Sequence, residues 1–217
     1  MIYRIKKNDS LSKIAKAFSV SVDIIMAFNP KIDNVNHIYV NQEIQIPNIE
    51  DVPKNADMTV ATNTNSITDR ASSAINKGIR YKLGAGGTIP GATLPTGNKL
   101  CDCSGFVCWS LGLSRKTTIP FYKQFGGWIF TDSMEADVNS QAGIFEKLNS
   151  PEVGCIVVYG AGNKIGHVGI VSAVSGGEMQ KVIHCSSGND SKFKDSIQET
   201  APTVFKRADA LWGRFVQ

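Results

Sequence analysis

The apolar, proline-free run from Phe106 to Leu113 begins directly behind Asp102-Cys103-Ser104-Gly105, and turn-forming residues precede it. Such a switch fixes where a helix can start, and it places Cys103 at the helix mouth. The reactive form of cysteine is the thiolate. Unpaired N–H groups and the dipole at a helix N-terminus favour that form, so a lowered thiol pKa is expected at Cys103. Asp102 is placed to cap the helix, and Gly105 removes a side chain where a substrate backbone would approach. Most free cysteines are small core residues. Cys108 and Cys155 lack polar flanks and are assigned to the core, whereas Cys103 stands between two polar residues at a loop-to-helix step.

A thiol nucleophile needs a base, and the base needs a polar group to fix its orientation. The chain has 3 histidines. His37 lies in the polar stretch Asn34-Val35-Asn36-His37 and reads as a solvated residue. The other two fall in strand-like runs, Gly154–Tyr159 being followed by His167–Val174, Lys181–Ser186 and Trp212–Val216. His167 starts one run and His184 ends the next, so antiparallel pairing would bring the two imidazoles together. Strands packed on one side by helices predict an α+β module.

Composition narrows the function. Of the 217 residues, 42% are hydrophobic and 19% charged, the balance of a folded protein. A net charge of +4, with no basic stripe interleaved with aromatics, does not suit nucleic acid. No long apolar run follows Met1-Ile2-Tyr3-Arg4-Ile5-Lys6-Lys7, so neither a signal peptide nor a membrane span is expected. The 5 cysteines are an odd number at irregular spacing, which does not suit a full disulfide framework. Cys101 and Cys103 are close enough in sequence to suggest a redox lock. Cys101, Cys103, Cys108, His184 and Cys185 match no zinc-ligand spacing, so neither metal nor cofactor is expected.

The chain divides in two. Residues 1–48 hold 6 basic and 4 acidic residues, residues 49–68 hold 1 and 3, and the remainder 16 and 12. The stretch 49–66, rich in Asp, Asn and Thr without apolar periodicity, reads as a linker before a module spanning 67–217. In the first module Tyr3–Ile5 forms a strand and Ser10 caps a helix carrying Leu11, Ile14, Ala15 and Phe18. Val22 to Asn29 forms a second short helix stopped by Pro30, and Tyr39–Pro47 returns as a strand. This βααβ pattern, with Asn8-Asp9-Ser10-Leu11, Asn29-Pro30 and Gln42-Glu43-Ile44-Gln45-Ile46-Pro47, resembles a LysM repeat over its whole length. The resemblance implies binding of N-acetylglucosamine-containing glycan in a shallow groove lined by Asp9, Ser10, Leu11, Asn29 and Ile32. Asn8 stands where that family usually has glycine.

In the second module Ser66 caps a helix bearing Ile67, Ala71, Ala74 and Ile75. The run Gly84-Ala85-Gly86-Gly87 lacks the Lys-Ser or Lys-Thr of a phosphate loop and reads as a flexible wall near the nucleophile. Phe121, Tyr122, Phe125, Trp128 and Phe130 in the segment 114–150 are assigned to covering the core. Together Tyr81-Lys82-Leu83-Gly84, Asp102-Cys103-Ser104-Gly105-Phe106-Val107, His167-Val168-Gly169-Ile170-Val171 and Val182-Ile183-His184 resemble the NlpC family of papain-like cell-wall cysteine peptidases. The chain departs from that family at Gly154-Cys155, where Gly-Asp is common, and in the length of segment 114–150.

The resemblance implies Cys103 as nucleophile, His167 as base and His184 as orienting residue. It implies that Tyr81, Asp102 and Ser104 line a site holding the amine end of a peptidoglycan stem peptide. The bond expected to be cut joins D-glutamate to the diamino acid; an amidase of the related CHAP group and a silent wall-binding component are the alternatives. Action at the bacterial wall or periplasm, reached through a specialised secretion system or a phage, is expected, with an immunity protein or a secretion component as a further partner.

Overall fold

The computed structural model describes residues 2–18, 25, 29, 32, 38–46, 64–160 and 165–216. The expected second helix of the first module (Ile25 and Asn29 apart), Pro30, His37, the linker up to residue 63 and residues 161–164 of the expected Gly160–Gly166 turn lie outside them.

In the N-terminal module, strand β1 (Ile2–Arg4) leads to helix α1 (Leu11–Ala17), and strand β2 (Glu43–Gln45) pairs antiparallel with β1, Tyr3 opposite Ile44. Ile5, Leu11, Ile14, Ile25, Ile32, Ile44 and Ile46 make a small buried core. Asn8 takes a φ of 71°, a left-handed conformation that asparagine tolerates better than most side chains. The tight turn usual for glycine is therefore kept. Ser10 caps α1 as expected, its Oγ accepting the Lys13 N–H at 3.2 Å.

The second module begins with helix α2 (Thr64–Ser73), two residues before the expected cap at Ser66. A two-stranded parallel pair, β3 (Arg80–Tyr81) and β4 (Leu100–Cys101), sets Tyr81 beside Cys101. Helix α3 (Cys103–Ser110) starts at the expected residue. Helix α4 (Thr131–Ser140) and strands β5 (Phe145–Leu148), β6 (Ile156–Tyr159), β7 (His167–Ser175) and β8 (Glu178–Cys185) follow. The chain ends with helix α5 (Ser187–Phe193), strand β9 (Ile197–Thr200) and strand β10 (Leu211–Phe215). The six strands form one antiparallel sheet in the order β5-β10-β6-β7-β8-β9.

Alternation along the strands gives the sheet two apolar faces. Ile156, Val158, Val168, Ile170 and Ile183 face Phe106, Val107 and Trp109 of α3 and Ile67, Ala71 and Ala74 of the α2 region. Cys155, Val157, Val171 and Val182 face the other way, where Phe205 and Met179 cover them. Cys108 and Cys155 are both buried, in keeping with their core assignment.

The long segment 114–150 is ordered around one carboxylate. Asp137 is buried and accepts the Tyr122 hydroxyl at 2.6 Å and the N–H groups of Gly143 and Ile144 at 2.8 and 2.9 Å. Tyr122, in a 3-10 turn (Pro120–Phe125), is fully buried, and Phe121 and Phe125 pack on the core. Trp128 differs, remaining 43% exposed with the Lys116 ammonium 4.6 Å from its ring centre.

The glycine-rich run is tied to α3. Asp102 N–H donates to the Ala85 carbonyl at 3.0 Å, and Arg115 N–H to the Gly87 carbonyl at 2.7 Å. Gly87, at a φ of 71°, presses against Gly105, whose own Cβ would lie 2.5 Å from the Ala85 oxygen. The space at Gly105 is filled by this loop, not by substrate as expected. Gly105→Ala forces backbone apart and should cost roughly 1–3 kcal/mol of stability, read by urea denaturation.

Candidate active site

Three pieces of backbone converge at the N-terminus of α3. Asp102 supplies the cap: its Oδ1 accepts the Gly105 N–H at 2.7 Å, and its Oδ2 the Gly84 N–H at 2.6 Å. Arg115, absent from the sequence-based site, reaches the same carboxylate with both terminal nitrogens at 3.1 and 3.2 Å. It also donates to Ser104 Oγ at 2.8 Å and to the Ala85 carbonyl at 3.1 Å, and Ser104 donates to Asp102 Oδ1 at 3.1 Å. Asp102, Ser104 and Arg115 are all buried. Asp102 and Ser104, expected to hold a substrate amine, spend their side chains on this internal network. No pattern in Ser114-Arg115-Lys116 signals the arginine, because its partners lie in distant loops.

Cys103 sits on the first turn that this network anchors. Its thiol is buried, and the backbone N–H groups of Val168 and Ser104 lie near enough to favour its thiolate. Val168 follows His167, so the sulfur is seated against the start of β7. Burial, with the Asp102 charge beside it, pushes the Cys103 thiol up to about 12, the opposite of the expected lowering. Desolvation outweighs the helix terminus here. Tyr81 is half-buried, its hydroxyl raised by burial and by the neighbouring Cys103 and Asp102.

The two expected histidines meet. β7 and β8 are antiparallel, and His167 Nε2 lies 2.8 Å from His184 Nδ1. His184 Nε2 lies 2.9 Å from Thr200 Oγ1 on β9. Phe205 stacks on the His167 ring at 5.0 Å with planes 9° apart, and meets His184 edge-on at 5.4 Å. Gly169 makes the histidine pair possible, since a Cβ there would fall 3.0 Å from His184 Cβ and 2.5 Å from Val182 Cγ1. Burial holds both imidazoles neutral, His167 down to about 3 with help from His184, and His184 down to about 4. The Cys103 thiol and both imidazoles are therefore uncharged at neutral pH.

Cys101 does not face Cys103. Its thiol meets that of Cys185, whose Sγ is 3.3 Å from the Cys101 carbonyl, and all five cysteines are free. In the N-terminal module the side chains expected to line a glycan groove are used internally. Leu11 and Ile32 belong to the core. Asp9 accepts the Tyr3 hydroxyl and the Lys6 N–H, both at 2.8 Å, and Asn29 bridges the Ile25 carbonyl to the Gln45 backbone at 2.6 and 2.7 Å.

Residues 3–47 match the LysM domain and residues 94–189 the CHAP domain. Cys103, His167 and His184 all fall inside the second match, whereas Thr200 and Phe205 fall beyond it. No curated protein matches the chain. Among solved structures, the NlpC/p60 domain of the peptidoglycan hydrolase SagA is 18% identical, with 70% of this chain and 97% of that chain covered at a TM-score of 0.39. A LysM domain ahead of a CHAP domain makes this a cysteine-type peptidoglycan hydrolase, with α+β architecture in its second module. No helix among the described residues is long and apolar enough to cross a membrane.

Two outcomes follow from the histidine pair. Gly169→Ala displaces the His184 ring and should lower hydrolysis of purified walls roughly 10- to 100-fold, with circular dichroism unchanged. Unfolded histidines take up protons near 6.5, whereas the native pair does so only near 3 to 4. Stability should therefore be full above pH 6.5 and fall as pH drops toward 4. In urea titrations across that window, replacing both histidines by glutamine should flatten the fall.

Proposed function

We propose that Cys103, His167 and His184 hydrolyse an amide of the peptidoglycan stem peptide, cutting between D-glutamate and the diamino acid. The observation that carries this reading is the 2.8 Å contact between His167 and His184, with Val168, the residue after His167, bringing its backbone N–H to the Cys103 sulfur. Because burial keeps the thiol protonated, attack and proton transfer are coupled. Cys103 Sγ bonds to the carbonyl carbon as its proton passes to His167, and the oxyanion meets backbone N–H groups at the start of α3. His167 then protonates the leaving amine as the C–N bond breaks, leaving an acyl-enzyme. Water attacks that thioester with His167 taking its proton, the C–S bond breaks, and the sulfur recovers the proton from His167 as the carboxylic acid departs.

The second reading is cleavage of the muramoyl–alanine bond, as in amidases of the CHAP group. It is favoured by the CHAP match and by Asp102, whose carboxylate is already neutralised by Arg115. An amidase substrate presents no free amine to that position. In either case the LysM module (residues 1–48, joined through 49–66 to the hydrolase at 67–217) would tether the enzyme to wall glycan and raise its local concentration. Delivery to a rival's wall as an antibacterial effector, with an immunity partner in the producer, or as a phage lysin, fits this activity.

Mass spectrometry of fragments released from walls of defined chemistry tests both readings. New amino groups on the diamino acid are expected for the endopeptidase, and new amino groups on the first alanine for the amidase. Cys103→Ala should release neither. Release by Cys103→Ala at the wild-type rate would overturn the catalytic assignment.

A further inference from the structure

The hydrogen bonds around His184 extend past the two histidines and have a direction. A threonine hydroxyl carries one proton. That of Thr200 goes to the Ala201 carbonyl, 3.0 Å away. Thr200 Oγ1 is thereby left as an acceptor toward His184 Nε2 at 2.9 Å, so Nε2 carries the His184 proton. His184 Nδ1 is then the bare nitrogen and accepts from His167 Nε2 at 2.8 Å. His167 in turn carries its proton on Nε2 and holds its lone pair on Nδ1. Each step fixes the next, and the chain ends on a backbone carbonyl, which cannot change its role.

We infer that Thr200 is a positioning residue: through His184 it sets the tautomer of His167, so that Nδ1 is the nitrogen free to take the nucleophile's proton. The inference rests on the roles proposed above for Cys103 and His167. The same end of the sheet holds the rings in place. Phe205, 1% exposed, lies flat on His167, and its edge contact with His184 leaves neither imidazole room to turn over. Thr200 is the last residue of the edge strand β9, on which Gln198 pairs with His184. Its hydroxyl thus reaches His184 from two residues further along the neighbouring strand.

Without the hydroxyl, His184 has no acceptor for Nε2–H. Its proton can move to Nδ1, where it would confront His167 Nε2–H. His167 must then shift its own proton to Nδ1, and the nitrogen meant to act as base is occupied. A wrong tautomer of this kind leaves the fold intact while removing the base.

The test combines Thr200→Val, Thr200→Ala as a second hydroxyl-free variant, and Thr200→Ser, which restores the hydroxyl. Long-range proton–nitrogen spectra of 15N-histidine-labelled full-length protein at neutral pH report which ring nitrogen is protonated. In the wild type and Thr200→Ser both rings should be protonated at Nε2, and walls should be hydrolysed at similar rates. In Thr200→Val and Thr200→Ala the His184 and His167 signals should move to the Nδ1-protonated or a mixed form, with hydrolysis falling roughly 10- to 100-fold. Wild-type tautomers in the hydroxyl-free variants, or a Thr200→Ser protein as impaired as Thr200→Val, would overturn the inference. Hydrolysis surviving in Cys103→Ala would instead defeat the proposed catalytic roles. The nitrogen spectra would still decide whether Thr200 governs the two rings.

Discussion

A single buried carboxylate organises the hydrolase module. Asp102 accepts from the first turn of α3, from the loop at Gly84 and from the Arg115 guanidinium, so helix, glycine-rich loop and downstream chain share one electrostatic anchor. A charge buried to this degree is tolerated only when each oxygen is hydrogen-bonded and a counterion is present, and both conditions hold. Removing one partner would leave the other charged and unsolvated. That is why the geometry around Cys103 is stiff without any disulfide. The Asp102 charge also adds to the burial that raises the Cys103 thiol's affinity for its proton.

The histidine pair is governed by the sheet instead. β7 and β8 present His167 and His184 toward each other, Gly169 clears the space between, and Phe205 covers the pair. Desolvation keeps both rings uncharged. The placement of Cys103 therefore depends on a helix terminus and an ion pair, that of the two histidines on strand register and aromatic packing. Val168, the residue after His167, brings its backbone N–H to the Cys103 sulfur.

Much of this could be read from residue order. The helix start at Cys103, the two histidine-bearing strands and the first strand and helix of the N-terminal module follow from periodicity and turn chemistry, and the structure has them there. The edge strands β5 and β9 were not legible, because Glu146, Lys147, Gln198 and Glu199 break the apolar alternation that marks a central strand. Helix α4 was hidden for a related reason: Thr131-Asp132-Ser133-Met134-Glu135 is mostly polar, and the helix is held by Asp137 and Tyr122 through contacts across the segment. Arg115, Thr200 and Phe205 carried no local signal, since each acts on a partner distant in sequence. The expectation for the thiol failed because burial is a tertiary property that a flanking sequence does not report.

Both imidazoles ride on one hairpin, β7 turning into β8 through Gly176 and Gly177, each in the left-handed region. Closing so short a loop costs little chain entropy. The two rings are thus brought together by local pairing, whereas the sulfur comes from far upstream on a helix packed against β7. Uniting the three side chains' elements takes a hairpin and one contact between stretches far apart in the chain.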